Sequence, residues 1–263
     1  MIISTHGIIA SYKGIDIDAQ AFITATGITN STQQTAINTL VSDLKNYGIW
    51  SRFKAIYPMV GGSATTHKFN LKDPRDLNAA FRLQFVNGWT HSSTGAKPNG
   101  TDAYANTFLN SQDQLNLNDA HISSYLRTNV DGNHCDIGAG TSSSDDCSLF
   151  PKWGNIFYPR INAVNNGIAN TNNSLGFFLS NRVSSTEVRA FQNNTVKVVT
   201  NNSVSETSTY YYLGAMNIPT YMTYFYSPRE TAFATIGFGL TDTDATNLYQ
   251  AIQNFNTTLS RNV

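Results

Sequence analysis

The chain has 263 residues, of which 40% are hydrophobic and 12% aromatic, enough to bury the core of one all-β domain. Only 13% are charged, and seventeen basic residues balance seventeen acidic ones. This balance excludes the electrostatic attraction on which nucleic-acid binding and binding to anionic lipid depend. No stretch approaches the roughly 20 apolar residues of a membrane-spanning helix. Because a neutral surface with few charges favours association, we expect an oligomer or an assembly component.

The N-terminal part of the chain is predicted to be an arm followed by helices. Residues 1–17 contain short apolar runs that predict a strand or extended arm. Residues 18–66 are predicted to form a helical anchoring segment, with one helix over 19–26 and a second from Ser31. The second helix carries apolar residues at helical spacing: Ile37, Leu40, Val41, Leu44 and Tyr47. We expect the apolar stretch 49–59 to pack these helices against the rest, and removal of everything before Gly61 to leave a soluble domain.

The sequence DPRDLNAA, residues 73–80, predicts one more short helix, because Asp is a favoured cap and Pro suits the first helical position. Beyond it, apolar runs bounded by Asn, Gly, Ser or Pro predict strands. Asn193 and Asn194 are predicted to form the tight turn of a hairpin. This spacing is typical of a sandwich or jelly roll. The predicted strands cover residues 82–86, 106–109, 121–127, 135–138, 156–162, 174–180, 187–192, 196–200, 210–216 and 231–238.

The last predicted element is a helix over residues 242–259. Thr241 followed three residues later by Asp244 is close to a capping box. Apolar residues then trace one face of the helix, from Ala245 through Leu248 and Ile252. A helix with such a face has to dock, and we expect it to lie near the N-terminal helices.

Three quoted runs resemble a family of tailed-bacteriophage and prophage virion proteins: HKFNLKDPRDLNAAFRLQF from His67, its continuation VNGWTHSSTGAKPNGTDAYANTFLN, and the closing TAFATIGFGLTDTDATNLYQAIQNFNTTLSRN. The resemblance covers the chain from roughly Asp18 onward. It implies a mainly β fold, a concanavalin A-like (laminin-G-like) or jelly-roll β-sandwich over residues 67–263, with the N-terminal helices and helix 242–259 on its flank. It also implies a virion location after synthesis in the bacterial host cytoplasm, and other virion proteins as partners.

Enzyme signatures are absent from the sequence. There is no G-x-S-x-G, no phosphate-binding glycine loop and no H-E-x-x-H. Retaining glucanases of the concanavalin A-like fold need two Glu residues close together on one strand, whereas Glu187, Glu206 and Glu230 are far apart. We therefore expect no enzymatic activity. An Asp pair assembled by the fold keeps a polysaccharide depolymerase as an alternative.

Cys135 and Cys147 flank a Gly/Ser/Asp-rich loop. They could close a disulfide in an oxidising medium, and a cytoplasmic chain would keep them reduced, so both states stay open. No cofactor is predicted. Calcium is a minor alternative, through Asp145 and Asp146 or through Asp102 with Asn99, because these loops offer oxygen ligands.

Aromatic rings beside amide-rich loops are the remaining signal, since such rings can stack on sugars. Trp153 and Tyr158 are the candidate ligand-binding aromatics, although about half of the aromatics in alternating strands face the core. The polar loop after them is the second candidate contact: Asn165, Asn166, Asn170, Asn172 and Asn173.

The leading hypothesis is a non-enzymatic virion protein of the tail, fibre or capsid surface that attaches to host-surface glycans. The alternative from another class is a purely architectural virion subunit without a ligand, such as a capsid decoration, head fibre or tail-assembly component.

Overall fold

The computed structural model describes residues 14–141, 146–163, 168–169, 171–219 and 222–263. Two stacked β-sheets carry a layer of helices on the outer face of one of them. The predicted mainly β sandwich with a helical flank is confirmed. The predicted N-terminal arm falls mostly on residues 1–13, outside the described residues. In the described part of the chain, no helix has the length and apolar character needed to cross a membrane.

The helices are α1 (Ile17–Thr26), α2 (Ser31–Asn46), α3 (Ala64–His67), α4 (Ser111–Gln114) and α5 (Asp242–Thr258). The strands are β1 (Phe53–Tyr57), β2 (Gln84–Val86), β3 (Trp89–Ser92), β4 (Gly95–Pro98), β5 (Tyr104–Asn110), β6 (Ala120–Leu126), β7 (Ile137–Ala139), β8 (Asp146–Trp153), β9 (Ile156–Ala163), β10 (Ile168–Ala169), β11 (Gly176–Arg182), β12 (Glu187–Gln192), β13 (Thr195–Thr200), β14 (Tyr210–Leu213), β15 (Met216–Ile218), β16 (Met222–Tyr224) and β17 (Thr231–Gly237).

The eight-stranded sheet has the order β13-β12-β11-β6-β17-β4-β3, with β1 also paired to β17. The nine-stranded sheet has the order β10-β9-β8-β7-β14-β5-β2, with the β15–β16 hairpin attached beside β7. Described pairings are antiparallel except that between β7 and β15. The predicted hairpin is present as β12 and β13, and Asn193 adopts the positive φ of 53° that its turn requires.

Helix boundaries follow from their caps. The side chain of Asn30 accepts the Gln33 N–H at the start of α2. At α5, Thr241 and Asp244 form a complete capping box, each side chain accepting the other's backbone N–H. Helix α5 spans Asp242–Thr258, which confirms the predicted C-terminal helix.

The helical layer shares its core with the outer face of the eight-stranded sheet. Tyr125, Phe177 and Phe233 point from the strands into this layer and are fully buried. Each large apolar side chain buried there contributes about 1.5–3 kcal/mol. Helices α2 and α5 lie against each other, as predicted. The helical residues in this core include Ile37, Leu40, Leu44, Leu248, Ile252 and Phe255.

A second core fills the space between the sheets. Strand residues alternate, so Phe178 enters this inner core while its neighbours Phe177 and Leu179 enter the helical layer. The nine-stranded sheet contributes Leu149, Phe157, Ile161 and Leu213 from the opposite side.

Strand β1 lies inside the segment 18–66 that was predicted to be helical. It pairs with β17 through Ala55↔Ile236 and Tyr57↔Ala234. The apolar stretch 49–59 therefore supplies a strand of the sandwich itself, in addition to residues that contact the helices.

The prediction of a helix over residues 73–80 is wrong. Only a 3-10 turn at Asn78–Ala80 forms there. The Asp73 carboxylate binds the Arg75 guanidinium instead of capping a helix, and Asp76 binds both Lys68 and Arg82. These ion pairs hold the segment as a loop.

The strand prediction missed β1, β3, β4, β8, β10 and β16, and the predicted strand 210–216 is interrupted. Gly214 has a φ of 78° and separates β14 from β15. Strand β8 was missed because it begins in a polar loop and contains Pro151, a residue that disfavours central strands.

Candidate functional site

The β8–β9 hairpin presents Trp153 at the outer face of the nine-stranded sheet. Trp153 pairs with Ile156 across a two-residue turn, Gly154 and Asn155, with φ angles of 61° and 63°. Two positive φ angles are the mark of a tight type I′ turn, which Gly and Asn accommodate. The Gly154 N–H donates to the Asp131 carboxylate at 2.8 Å, which fixes the turn to the preceding loop.

Trp153 is one of a group of aromatic side chains on this face. Trp153 is 39% exposed, and its ring lies 5.3 Å from the Tyr158 ring, centroid to centroid. Phe150, three residues before Trp153 in β8, has its ring 6.4 Å from the Trp153 ring and is buried. An exposed indole supported by a buried ring and a partly buried ring is a preformed flat surface for a ligand.

The opposite wall comes from the β15–β16 hairpin. Met216, Ile218, Tyr224 and Phe225 face Phe150, with the Phe225 and Phe150 rings 5.6 Å apart. Between the two walls lies a cleft of about 240 Å³, called the outer cleft below. Its lining comprises Asn133, Asp146, Phe150, Trp153, Arg160, Met216, Ile218, Tyr224 and Phe225.

Gly138 allows the hairpin to lie so close to the sheet. A Cβ atom at this position of β7 would come within 3.1 Å of the Met216 Cα and 2.6 Å of the Cys135 Sγ. The sheet can accept β15 there because glycine has no side chain. The cleft therefore depends on a residue that does not line it.

Arg160 and Asp146 supply charge to the cleft. The Arg160 guanidinium donates to the Asp146 carboxylate at 3.0 Å, and both side chains are about nine-tenths buried. The same guanidinium lies 5.3 Å from the Phe150 ring and 5.8 Å from the Tyr158 ring, at cation–π distance. The apolar lining thus contains a polar group of fixed orientation, a usual combination in small-molecule sites.

A second, fully buried ion pair fixes the end of β8. The Arg229 guanidinium donates to the Asp136 carboxylate at 2.7 Å and to the Lys152 carbonyl, next to Trp153, at 3.0 Å. Burial raises the pKa of Asp136, while Arg229 and the Ser227 hydroxyl act against that rise. This pair is a positioning element of the site.

The two aromatic residues predicted to contact ligand, Trp153 and Tyr158, lie together at the cleft. Among the described residues of the predicted polar loop, Asn172 and Asn173 do not line it. The Asn172 carbonyl accepts from the Lys152 ammonium at 3.2 Å, and the Asn173 side chain accepts the Leu175 N–H. Asn165, Asn166 and Asn170 lie outside the described residues.

Both cysteines are free and buried. Cys147 pairs in register with Ala139, four positions from Cys135. Cys135 precedes β7 and is not part of the ladder that holds Cys147. The Cys147 thiol lies 3.1 Å from the Asn162 side-chain oxygen, and the Cys135 thiol lies 3.1 Å from the Ile137 carbonyl.

The candidate calcium ligands have other partners. Asp146 binds Arg160, and the Asp102 carboxylate accepts from the Asn99 amide at 2.7 Å. Asp145 lies outside the described residues. In the described ranges, no group of three or more His, Cys, Asp or Glu side chains could hold a metal ion.

Sequence reasoning missed most of the cleft. Alternation along β8 and β9 could have grouped Asp146 with Phe150 and Tyr158 with Arg160, once both strands were known. No local pattern could have brought Met216 or Phe225 to the same surface, because they lie more than 50 residues further along the chain.

No protein-family model matches the chain, and no curated protein matches it. Solved structures do match. The binding domain of botulinum neurotoxin serotype D is 9% identical with a TM-score of 0.53, over 77% of this chain and 51% of that chain. A sialidase of Trypanosoma rangeli in complex with sialic acid is 10% identical with a TM-score of 0.52, over 82% of this chain and 38% of that chain. This chain thus spans about half or less of these two proteins.

A third similar structure is domain 4 of AbnA, an extracellular arabinanase of Geobacillus stearothermophilus, in complex with arabinotriose. It is 12% identical with a TM-score of 0.45, over 76% of this chain and 98% of that domain. At these identities, the neighbours with TM-scores above 0.5 establish the β-sandwich fold and nothing finer.

Proposed function

We propose that this chain is a non-enzymatic glycan-binding protein and that the outer cleft is its binding site. The observation that carries the proposal is the half-exposed Trp153 ring beside Tyr158, above a lining that holds the Arg160–Asp146 pair. The apolar face of a sugar ring can stack on an indole while its hydroxyls take hydrogen bonds from neighbouring polar groups.

The fold supports this proposal. Two of its structural neighbours are a toxin binding domain and a sialidase holding sialic acid. A sandwich can carry binding or catalytic sites, so the choice between them depends on the residues of the site.

Binding without catalysis is favoured by the chemistry of the cleft. A retaining glycosidase needs two carboxyl groups about 5–5.5 Å apart, and an inverting one needs them about 6.5–9.5 Å apart. Among the described residues that line the outer cleft, Asp146 is the single carboxylate, and it is paired with Arg160.

We further propose that the protein acts on the surface of a bacteriophage virion and attaches the particle to host-surface glycans. The sequence resemblance to virion proteins of the tail, fibre or capsid surface supports this setting. The neutral net charge suits a protein that assembles with neighbouring subunits.

The proposal is tested by glycan-array binding of the purified protein with two variants. Trp153→Ala should lose binding at least tenfold. Tyr210→Ala is the matched control, because Tyr210 is another exposed aromatic at 43% exposure and does not line the cleft. Equal loss in both variants, or none in Trp153→Ala, would contradict the assignment.

Assays on the purified wild-type protein distinguish the two remaining alternatives, a depolymerase and an architectural subunit. A reducing-end assay on bound polysaccharides should stay at background, and release of sugar would establish a depolymerase. A wild-type protein that incorporates into particles and binds no array glycan would favour the purely architectural virion subunit.

A further inference from the structure

A second cavity opens at the lateral edge of the sandwich, between the edge strands of the two sheets. Strand β13 is the edge of the eight-stranded sheet, and β10 is the edge of the nine-stranded sheet. Thr195 and Lys197 of β13 line the cavity, while the intervening Val196 is exposed on the other face. The cavity has a volume of about 310 Å³ and is called the lateral pocket below.

The floor of the lateral pocket is apolar. Phe157, Ile168 and Ala190 form it. The Phe157 ring is held edge-to-face against Phe178 at 5.2 Å, so it is fixed in the inner core. Ala190 pairs with Lys197, and its short side chain leaves the space open between β12 and the opposite sheet.

The rim of the lateral pocket is polar. Gln192, Asn193 and Thr195 surround the opening and are at least partly exposed. The Asn193 side-chain oxygen accepts the Phe177 N–H at 2.9 Å. Its amide nitrogen and the Thr195 hydroxyl have no hydrogen-bond partner among the residues that the structure describes. The Gln192 amide donates to the Asn173 carbonyl at 3.5 Å. Within the described part of the chain, the Asn193 amide nitrogen and the Thr195 hydroxyl are therefore the rim groups left for a ligand.

We propose that the lateral pocket is a second binding site, which takes one sugar ring. A sugar needs donors and acceptors for its hydroxyls together with an apolar surface for its C–H face, and amides, a hydroxyl and an aromatic floor supply them. The volume lies at the lower end of the ~300–1,000 Å³ range of small-molecule pockets, which suits a single ring. Lys197 is the one ionisable side chain among the described lining residues.

This site is separate from the outer cleft. Phe157 and Tyr158 are consecutive residues of β9, so their side chains point to opposite faces of the sheet. Phe157 lies in the lateral pocket and inner core, whereas Tyr158 lies against Trp153 outside. The inference therefore does not depend on the function proposed for the outer cleft.

The test compares two tryptophan substitutions on one strand. Thr195→Trp should fill the mouth of the lateral pocket, and Val196→Trp, on the opposite face of β13, is the matched control. Ala190→Leu is a second variant, which fills the floor of the pocket. It replaces Thr195→Trp in the test if Thr195→Trp alters folding. Circular dichroism and thermal melts establish that each variant is folded.

The probes are methyl glycosides of glucose, galactose, mannose and N-acetylglucosamine, titrated to millimolar concentration. The readout is the NMR signal of the Gln192 and Asn193 side-chain amides. We expect at least one probe to shift both signals saturably in the wild type, in Val196→Trp and in Trp153→Ala. The affinity should fall at least tenfold in Thr195→Trp or Ala190→Leu.

Two results would overturn the inference: no probe shifts these amides, or the shifts persist unchanged in folded Thr195→Trp and Ala190→Leu. Failure of the glycan-binding proposal for the outer cleft would give a different result. Trp153→Ala would then leave array binding intact, while the amide shifts remain as in the wild type.

Discussion

The Arg229 guanidinium and the Asp136 carboxylate form an ion pair at 2.7 Å in which neither side chain has any solvent exposure. Arg229 also donates to the carbonyls of Val130, His134 and Lys152. One buried cation thus joins the 130–136 loop, the end of β8 and the segment before β17. This arrangement fixes the backbone next to Trp153.

Replacement of Arg229 by Met should destabilise the protein by about 3–5 kcal/mol, because it leaves the Asp136 charge buried without its partner. Asp136→Asn should cost less, since the carbonyl acceptors of Arg229 remain. Urea unfolding measures both. A loss below about 1 kcal/mol in Arg229→Met would show that the pair does not hold the site together.

Gly138→Ala should weaken ligand binding at the outer cleft, although Gly138 itself does not line the cleft. The added methyl group would displace Met216 and the β15 backbone, at a cost of about 1–3 kcal/mol. Gly14→Ala is a suitable control, because a Cβ atom there meets nothing within 4 Å. Calorimetric titration with an array-positive glycan should show reduced affinity in Gly138→Ala alone, and equal affinities would refute the role assigned to Gly138.

Two buried histidines are held neutral by the fold. His67 accepts the Gly62 N–H at Nε2, so its Nδ1–H donates to His91 Nδ1 at 3.0 Å. Burial, assisted by His91, lowers the pKa of His67 from 6.5 to about 3. Burial likewise lowers the pKa of His121 from 6.5 to about 4, although its bond to the Phe238 carbonyl opposes the shift.

Stability should therefore fall as the pH is lowered below about 6.5. Each histidine binds a proton more weakly in the folded than in the unfolded state, so its contribution is complete above its unfolded pKa and is lost toward its folded pKa. Between pH 7 and pH 5 we expect a loss of about 2 kcal/mol for each histidine. His121→Gln should remove about half of this dependence in urea unfolding. Equal stability of the wild type at both pH values would contradict the buried neutral state.

Removal of residues before Gly61 should yield an insoluble or unfolded chain. The sequence alone favoured the opposite, a soluble sandwich without its helices. Truncation would remove β1 from its pairing with β17 and would expose Phe177 and Phe233. Expression of residues 61–263 followed by circular dichroism tests this, and a cooperatively melting β-protein would show that the helical layer is dispensable.

The sequence was sufficient for elements defined by local chemistry. The capping pair Thr241–Asp244 and the apolar face behind it predicted α5, and the Asn193 turn predicted the β12–β13 hairpin. The helix prediction for the DPRD segment failed because its charged side chains form ion pairs that compete with the helix cap. Asp73 pairs with Arg75, and Asp76 pairs with Arg82. Such competition depends on three-dimensional contacts that a cap pattern does not encode.

Only the aromatic residues Trp153 and Tyr158 of the candidate site could be predicted from the sequence. Trp153 and Tyr158 stood out because they are aromatic residues in a polar context. Arg160 pairs with Asp146 across two strands, and Gly138 makes room for Met216 from a distant segment. These relationships arise from strand pairing and from the fold of the β15–β16 hairpin, so no local pattern carries them.

The most direct test of the glycan-binding cleft is the NMR signal of the Trp153 indole N–H during titration with a panel of neutral and sialylated oligosaccharides. The other two tryptophans are internal references, since Trp89 donates its indole N–H to the Tyr104 carbonyl and Trp50 lies against Lys72. We predict a saturable shift of the Trp153 signal with Trp50 and Trp89 unchanged. Binding detected on the array while the Trp153 signal stays fixed would contradict the assignment of the outer cleft.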